Sequence, residues 1–177
     1  VGTVDSYWQA HMDLLREPPP FDLGNRSWII HTRTEERPPA RIANGAKVID
    51  SMIADGCKIA EGAMIERSVL GPGVVIGPGV QIRESVILTD ARIESGAILE
   101  RTIADKRVLV KENAHIGRMG NEKKPVITTL GKTCVVPVNR SVGAGALVGP
   151  DVAESDFEGK DVAEGGILLT KRLPYEI

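Results

Sequence analysis

The chain has 177 residues, a formal net charge of −2 and 42% hydrophobic residues, which suffices for one domain with its own core. The nearly balanced charge argues against binding to nucleic acid or to an anionic membrane, and no apolar run approaches the roughly 18 residues of a membrane-spanning helix. Aromatic residues make up only 3% and glycines number 19, a composition that favours a fold built from small and aliphatic side chains.

The first predicted element is a short helix over residues 4–17, VDSYWQAHMDLLRE. Asp5 or Ser6 can cap its N-terminus, and the run of prolines at 18–20 ends it. Its apolar residues, spaced four and three apart, form a single stripe. They are Trp8, Met12 and Leu15. Because an isolated helix of this length is marginal in water, the stripe needs a partner, either the rest of the domain or a part of the protein outside this chain.

Residues 21–42, FDLGNRSWIIHTRTEERPPARI, follow as a predicted extended connector. The chain begins at Val1 without an initiator methionine, so we expect it to be a piece of a longer protein. We therefore divide it into a helix and connector over residues 1–40 and a repeat domain over residues 41–177.

From Ile42 onward the sequence repeats itself every 17 residues. A glycine recurs at this period and gives way to asparagine in the fifth row. That column contains Gly45, Gly62, Gly79, Gly96 and Asn113. A second column of small hydroxyl-bearing residues contains Ser51, Ser68, Ser85 and Thr102. Self-similarity at a fixed period of this length is typical of a solenoid.

Aliphatic residues within each repeat are spaced six, six and five apart. The first repeat has Ile42, Val48 and Ile53, and the second has Ile59, Ile65 and Leu70. A smaller residue stands two positions before each of them, and a spacing of two places both side chains on one face of a strand. Each repeat is therefore predicted to form one coil of three short strands, and the stacked coils form a triangular prism filled by these side chains.

The glycine column predicts a corner in the left-handed backbone conformation, which glycine adopts at little cost and asparagine next best. The serine column has two interpretations that the sequence leaves open: the hydroxyl bonds the neighbouring backbone, or the residue is there only because it is small. Cys57 and Cys134 fall in inward columns, which predicts a packing role. Two cysteines without a disulfide framework indicate a reducing compartment.

The repeat breaks at residues 117–125, GRMGNEKKP, whose composition predicts an excursion loop. Residues 152–165 lose the pattern again, and residues 166–172, GILLTKR, are predicted to form a closing strand. Between the two breaks the six-residue spacing resumes, at Leu130, Val136, Val142 and Val148.

Few residues of the chain are candidates for chemistry. The histidines are His11, His31 and His115, and none has a metal-ligand spacing to another histidine, a cysteine or a carboxylate. His115 lies between the inward Ala114 and Ile116, so it points outward. It is either a solvated side chain or, if the protein is a hexapeptide-repeat acyltransferase, the general base of that enzyme.

Two cationic spots, IADKR and LLTKR, each end an apolar strand with two cations. Adjacent residues of a strand point to opposite sides. We therefore expect only one of Lys106 and Arg107, and only one of Lys171 and Arg172, to face a given ligand. The spots are either solvated edges of the coils or a site for an anion such as phosphate.

The segment GTVDSYWQAHMDLL closely resembles the stretch that joins the two domains of the glucose-1-phosphate adenylyltransferase family. Shorter stretches, RPPARI, DSMIADGCKI, RSVL, TIADKRV and EGGILLTK, resemble successive pieces of that family's C-terminal domain. The resemblance covers nearly the whole chain. It implies an all-β fold, a left-handed parallel β-helix of hexapeptide repeats, preceded by a short α-helix.

The resemblance also implies a parent enzyme that makes ADP-glucose and pyrophosphate from ATP and glucose 1-phosphate, with Mg²⁺, for glycogen or starch synthesis in the cytoplasm. In that family the catalytic residues and the Mg²⁺ ligands lie in an N-terminal domain, whose motifs are not in this chain. The chain alone is therefore expected to be inactive and to hold no cofactor. The implied assembly is a homotetramer in which the solenoids pack subunits together.

The family's regulatory sugar-phosphate site uses one cation in an I-x-D-K strand and another in the last T-K strand, which match Lys106 and Lys171. The resemblance therefore favours an effector site for an anion, placed between the β-helix and the catalytic domain. Two other functions stay open. One is an acyltransferase with His115 as its base, and the other is the β-helix tail of another sugar-nucleotide pyrophosphorylase, such as a mannose-1-phosphate guanylyltransferase.

Overall fold

A computed structural model of the protein describes residues 2–29, 35–122 and 124–172. It is a left-handed parallel β-helix of about seven turns with one short α-helix, which confirms the predicted fold class. His31, the middle of the predicted connector and residues 173–177 of the predicted repeat domain lie outside the described residues.

The helix α1 spans Val4–Leu14 and packs against the solenoid. Trp8 and Met12 are buried, as the apolar stripe predicted, in a cluster with Val86, Ile103 and Ile127. The rest of the domain therefore provides the partner that the stripe needs.

The predicted N-cap of α1 was wrong. The cap is Thr3, whose hydroxyl oxygen accepts from the Ser6 backbone N–H at 3.1 Å, while the Ser6 hydroxyl oxygen accepts from the Thr3 N–H at 3.1 Å. This reciprocal pair satisfies two N–H groups that would otherwise lack partners at the start of the helix.

The described part of the connector is less extended than predicted. The Asp22 and Asn25 side chains accept hydrogen bonds from the backbone N–H groups of Gly24 and Ser27, two residues further on. Such bonds fold the backbone back on itself, so the segment before residue 30 consists of turns.

Nineteen strands in the described residues form three parallel sheets, one for each side of the prism. Sheet A contains β1 (Arg41–Ile42), β4 (Lys58–Ile59), β7 (Val75–Ile76), β10 (Arg92–Ile93), β13 (Leu109–Val110) and β16 (Val135–Val136). Sheet B contains β2 (Lys47–Ile49), β5 (Met64–Glu66), β8 (Gln81–Arg83), β11 (Ile98–Glu100), β14 (His115–Ile116) and β17 (Ser141–Val142). Sheet C contains β3 (Met52–Ile53), β6 (Val69–Leu70), β9 (Val86–Ile87), β12 (Thr102–Ala104), β15 (Thr128–Leu130), β18 (Leu147–Val148) and β19 (Ile167–Leu168).

The strand register reproduces the period of the sequence. Ile42 pairs with Ile59, and Leu99 pairs with Ile116, each 17 residues on. The excursion loop follows β14 and precedes β15, and the coil after it keeps the stacking, since β14 pairs with β17 in parallel. The predicted loop therefore leaves the solenoid and returns without shifting the inward face.

The core is the single file of inward side chains along the prism axis. The largest of them have essentially no exposed surface, among them Ile65, Leu70, Ile76, Ile82, Ile87, Ile93, Leu99, Ile116 and Leu130. A 3₁₀-helix, η1 (Glu154–Phe157), covers the C-terminal end with the buried Phe157. At the opposite end Ile42 and Ile49 of the first coil are about half exposed.

The serine column is a hydrogen-bonded ladder, which decides between the two interpretations. The Ser85 hydroxyl donates to the Arg83 carbonyl at 2.7 Å and accepts from the Thr102 N–H at 3.1 Å. Ser51 and Ser68 repeat this pattern one and two coils earlier. Each hydroxyl thus satisfies a backbone N–H of the next coil that no strand bond reaches.

We expect Ser85→Ala to lower the free energy of unfolding by about 1–3 kcal/mol, because the buried Thr102 N–H loses its acceptor. Ser95→Ala serves as the control, since no hydrogen bond of the Ser95 side chain occurs among the described residues, and its effect should stay within about 0.5 kcal/mol. Urea denaturation followed by circular dichroism measures both values. Equal, small effects would mean that the serine is selected only for its size.

Charged residues of alternating sign border the ladder and hold α1. The Glu84 carboxylate lies 2.9 Å from Arg101 Nε and 3.5 Å from Arg67 Nε. The backbone of Glu84 is left-handed, with φ of 45°, and its carbonyl accepts from the Trp8 indole N–H at 2.7 Å. On the loop side, Lys124 forms an ion pair with Asp5 of the helix. The ladder and the excursion loop therefore fix the position of α1 together.

Candidate functional site

A groove of about 700 Å³ runs along the corner of the prism where sheet C turns into sheet A. Each coil contributes the two residues of its corner turn, and the connector forms one wall through Glu35 and Arg37. In coil order, the corner residues that line the groove are Asp55, Pro72, Thr89, Asp90, Lys106, Arg107 and Lys132. The fold thus collects residues that are far apart in the sequence into one surface channel.

Both cations of the first predicted spot line this groove. We had expected only one of Lys106 and Arg107 to face a given ligand, and this was wrong. The two residues form a corner turn instead of a strand, and Arg107 has a left-handed backbone with φ of 58°. The alternation of strand side chains does not apply in such a turn.

Lys132 is a groove residue that the sequence reasoning missed. It follows the inward Leu130 by two positions, just as Lys106 follows Ala104, and Ala104 pairs with Leu130 in the sheet. The Lys106 carbonyl accepts a hydrogen bond from the N–H of Thr133, so the two corner turns stack directly. The signal was present, but the excursion loop separates the two lysines by 26 residues and hides their equivalence.

The other half of the groove is dominated by carboxylates. Arg37 donates from Nη1 to Asp90 at 2.6 Å and from Nη2 to Glu35 at 2.8 Å. These hydrogen bonds raise the pKa of Arg37, and the bond from Arg37 lowers the pKa of Asp90. The arginine is therefore already satisfied, while Asp55 adds a further carboxylate on the groove floor.

Lys171 lies in a different cavity, of about 290 Å³, at the C-terminal end of the solenoid. Its ammonium donates to the Glu158 carboxylate, and this bond raises the pKa of Lys171 and lowers that of Glu158. The strands that precede Lys106 and Lys171, β12 and β19, are three strand spacings apart, about 14 Å. The structure does not bring the two predicted lysines into one cavity, and their role in effector binding stays a prediction.

His115 points outward, as predicted, and belongs to the ion-pair network. Its Nε2 lies 3.6 Å from a Glu100 carboxylate oxygen. The same carboxylate contacts Arg83 Nη1 at 3.3 Å and accepts from the Met119 N–H at 3.2 Å. Glu100 thus joins the edge of the excursion loop to the solenoid, and His115 lies beside that junction.

Cys57 and Cys134 are fully buried in the core, as their inward positions predicted. Burial raises the pKa of both thiols, that of Cys134 to about 12. A neutral, enclosed thiol is a poor nucleophile, so these cysteines serve packing.

Comparison with known families places this fold. The family model of GlmU-like C-terminal hexapeptide domains matches residues 38–131. The chain belongs to this family. The matched hexapeptide domain begins before β1 and extends past the first strand after the excursion loop, so it contains Lys106, whereas Lys132 and Lys171 follow it.

This hexapeptide domain is similar over most of its length to curated relatives named glucose-1-phosphate adenylyltransferase. The protein of Thermomicrobium roseum is 45% identical over 175 residues, which cover 93% of this chain and 40% of the relative. That of Pseudothermotoga lettingae is 36% identical over 177 residues, covering 97% and 42%. Glucose-1-phosphate adenylyltransferase 1 of Vibrio vulnificus is 39% identical over 148 residues, covering 81% and 36%. The chain therefore spans about two fifths of these relatives.

Among solved structures, a mutant of GDP-perosamine N-acetyl transferase from Caulobacter crescentus matches at 14% identity and a TM-score of 0.44. The match covers 76% of this chain and 54% of that one, and at this score it carries no conclusion about function. Within residues 2–29, 35–122 and 124–172 of the hexapeptide domain and its helix, no helix is long and apolar enough to cross a membrane.

Proposed function

We propose that this chain is the C-terminal regulatory and oligomerising part of an enzyme that makes ADP-glucose and pyrophosphate from ATP and glucose 1-phosphate. The observation that carries the proposal is the 45% identity to a glucose-1-phosphate adenylyltransferase over 93% of the chain, through α1 and all the coils. The reaction belongs to glycogen or starch synthesis in the cytoplasm. The remaining part of the enzyme holds the catalytic residues and Mg²⁺.

The regulatory role rests on the cations at the corners of sheet C. Lys106 is exposed and, among the described residues, has no carboxylate within ion-pair distance. It can therefore donate to an anionic effector without first giving up a partner. Lys171 would have to exchange Glu158 for the effector, which makes it a weaker or a conditional contact. An effector bound at such a site changes the rate only if it prefers one of two states of the enzyme.

Two apolar surfaces support contacts with the rest of the enzyme. The outward column of sheet C is covered by α1 in its middle, but Leu147 and Ile167 beyond the helix are exposed, with Leu169 beside them. We assign this stripe to the catalytic part of the same subunit, because α1 lies against the same face. We assign the open first coil, with Ile42 and Ile49 exposed, to contacts between subunits of a homotetramer.

Substituting the predicted effector lysines in the whole enzyme should blunt activation by a sugar phosphate. We expect Lys106→Ala to weaken activation by about tenfold in effector concentration, the loss of one charge-assisted hydrogen bond, and Lys171→Ala to have a smaller effect. The unactivated rate should change little, since neither residue is in the catalytic part.

The assay is pyrophosphate release at saturating ATP and glucose 1-phosphate, with the sugar phosphate varied. Lys58→Ala is the matched control, because Lys58 is an exposed lysine of sheet A outside both cavities. Activation curves that are unchanged in both effector variants would refute the assignment of these lysines.

A further inference from the structure

The charges of the corner groove are sorted along its length. The cations Lys106, Arg107 and Lys132 occupy two neighbouring coils, and among the described residues none of the three lies within ion-pair distance of a carboxylate. The coils before them supply Asp55 and Asp90. One end of the groove is therefore positive and available to an anion, and the other end is acidic.

The two lysines are placed to hold one phosphate together. They occupy equivalent positions of adjacent coils, so their backbones are about 4.8 Å apart, the spacing of paired strands. Flexible lysine side chains at that spacing can converge on the oxygens of a single dianionic group, and the Arg107 guanidinium adds donors from the same turn. Lys171, three strand spacings away and bonded to Glu158, cannot take this place without rearrangement.

The acidic end limits what the rest of the ligand can be. Glu35, Asp55 and Asp90 face a second anionic group with only one cation among them, Arg37, which is already bonded to Asp90 and Glu35. A second phosphate would be repelled there. Carboxylates accept hydrogen bonds from hydroxyl groups, however, so a sugar or polyol fits this end.

We propose that Lys132 is the second lysine of the anion site around Lys106, and that the groove selects a sugar or polyol monophosphate over a bisphosphate. The phosphate lies between Lys106, Arg107 and Lys132, and the hydroxyl groups point along the groove toward Asp55. This inference rests on the proposed function only in taking Lys106 as an effector residue.

The test is direct binding to the whole enzyme in the absence of nucleotide, measured by isothermal titration calorimetry with glucose 6-phosphate and with glucose 1,6-bisphosphate. We expect Lys132→Ala to weaken glucose 6-phosphate binding about tenfold, as Lys106→Ala does, because each removes one charge-assisted hydrogen bond. Lys132→Arg should keep most of the affinity, and Lys58→Ala should change nothing. The bisphosphate should bind the unsubstituted enzyme no more tightly than the monophosphate.

The possible failures are distinguishable. If Lys106→Ala weakens binding and Lys132→Ala does not, Lys132 is outside the site and this inference is overturned while the proposed function stands. If neither substitution matters, the assignment of Lys106 to an effector fails as well. Tenfold tighter binding of the bisphosphate, lost in Lys132→Ala, would overturn the selection for a monophosphate. Circular dichroism of each variant checks that the exposed lysine can be removed without unfolding.

Discussion

Leu99→Ala should lower the free energy of unfolding by about 2–5 kcal/mol, the range for truncating a large aliphatic side chain in a close-packed core. Leu99 is fully buried and lies in register between Ile82 and Ile116 of the neighbouring coils. These neighbours belong to strands fixed by hydrogen bonds on both sides, so they cannot move far to fill the cavity. The loss should be near the upper part of that range.

Leu169→Ala makes the same chemical change on the surface and is the matched control. Leu169 is 58% exposed and follows β19 at the edge of sheet C, so we expect an effect within about 0.5 kcal/mol. Both variants are compared with the unsubstituted chain by urea denaturation. If Leu99→Ala costs no more than Leu169→Ala, the inward column is not the core of the domain.

Gly117→Ala should destabilise the chain far more than Gly79→Ala, although both glycines have a left-handed backbone, with φ of 71° and 67°. A side chain in that conformation costs about 1–2 kcal/mol at either position. At Gly117 the new methyl group would also overlap the backbone carbonyl of Glu100, whereas at Gly79 it would meet open space. The Gly117 N–H donates to the Val142 carbonyl at 2.8 Å, which keeps the glycine from moving away.

Overpacking of this kind costs about a further 1–3 kcal/mol. The difference between the two alanine variants therefore isolates the contact with Glu100 from the backbone strain that both share. Urea midpoints measured side by side give this difference. Equal midpoints would contradict the close approach at the start of the excursion loop.

The repeats could be predicted from the sequence because each column answers to one local physical demand. Ile82, Leu99 and Ile116 stack inward since an aliphatic residue recurs at a fixed period, and Gly45 and Asn113 mark corners that need positive φ. Such demands do not depend on distant parts of the chain, so the period alone is enough to predict the prism.

Other left-handed corners carry charged residues and could not be recognised by glycine content. Arg67, Glu84 and Arg101 all have φ near 45°. The hydrogen bonds of the serine ladder and the ion pairs between adjacent coils hold this conformation, and both exist only after the coils have stacked. A trace of the network was visible in the sequence, because the dipeptides Glu-Arg, Arg-Glu and Glu-Arg recur every 17 residues from Glu66.

The groove was predictable only in part. Lys106 came from resemblance, but its neighbours depend on how turns and loops bring residues together. Lys132 becomes adjacent to it only because the excursion loop returns the chain in register, and Arg37 reaches Asp90 from a connector without repeats. Whether Arg107 faces the groove depends on a left-handed turn that the dipeptide Lys-Arg does not reveal.

The most direct test of the central proposal is pyrophosphate release from ATP and glucose 1-phosphate with Mg²⁺. It is measured for the whole enzyme and for residues 1–177 alone, at equal concentration of protein. The proposal predicts turnover to ADP-glucose by the whole enzyme and none by this chain. Turnover by the chain alone, or a whole enzyme that uses another nucleotide or sugar phosphate in place of these two, would contradict it.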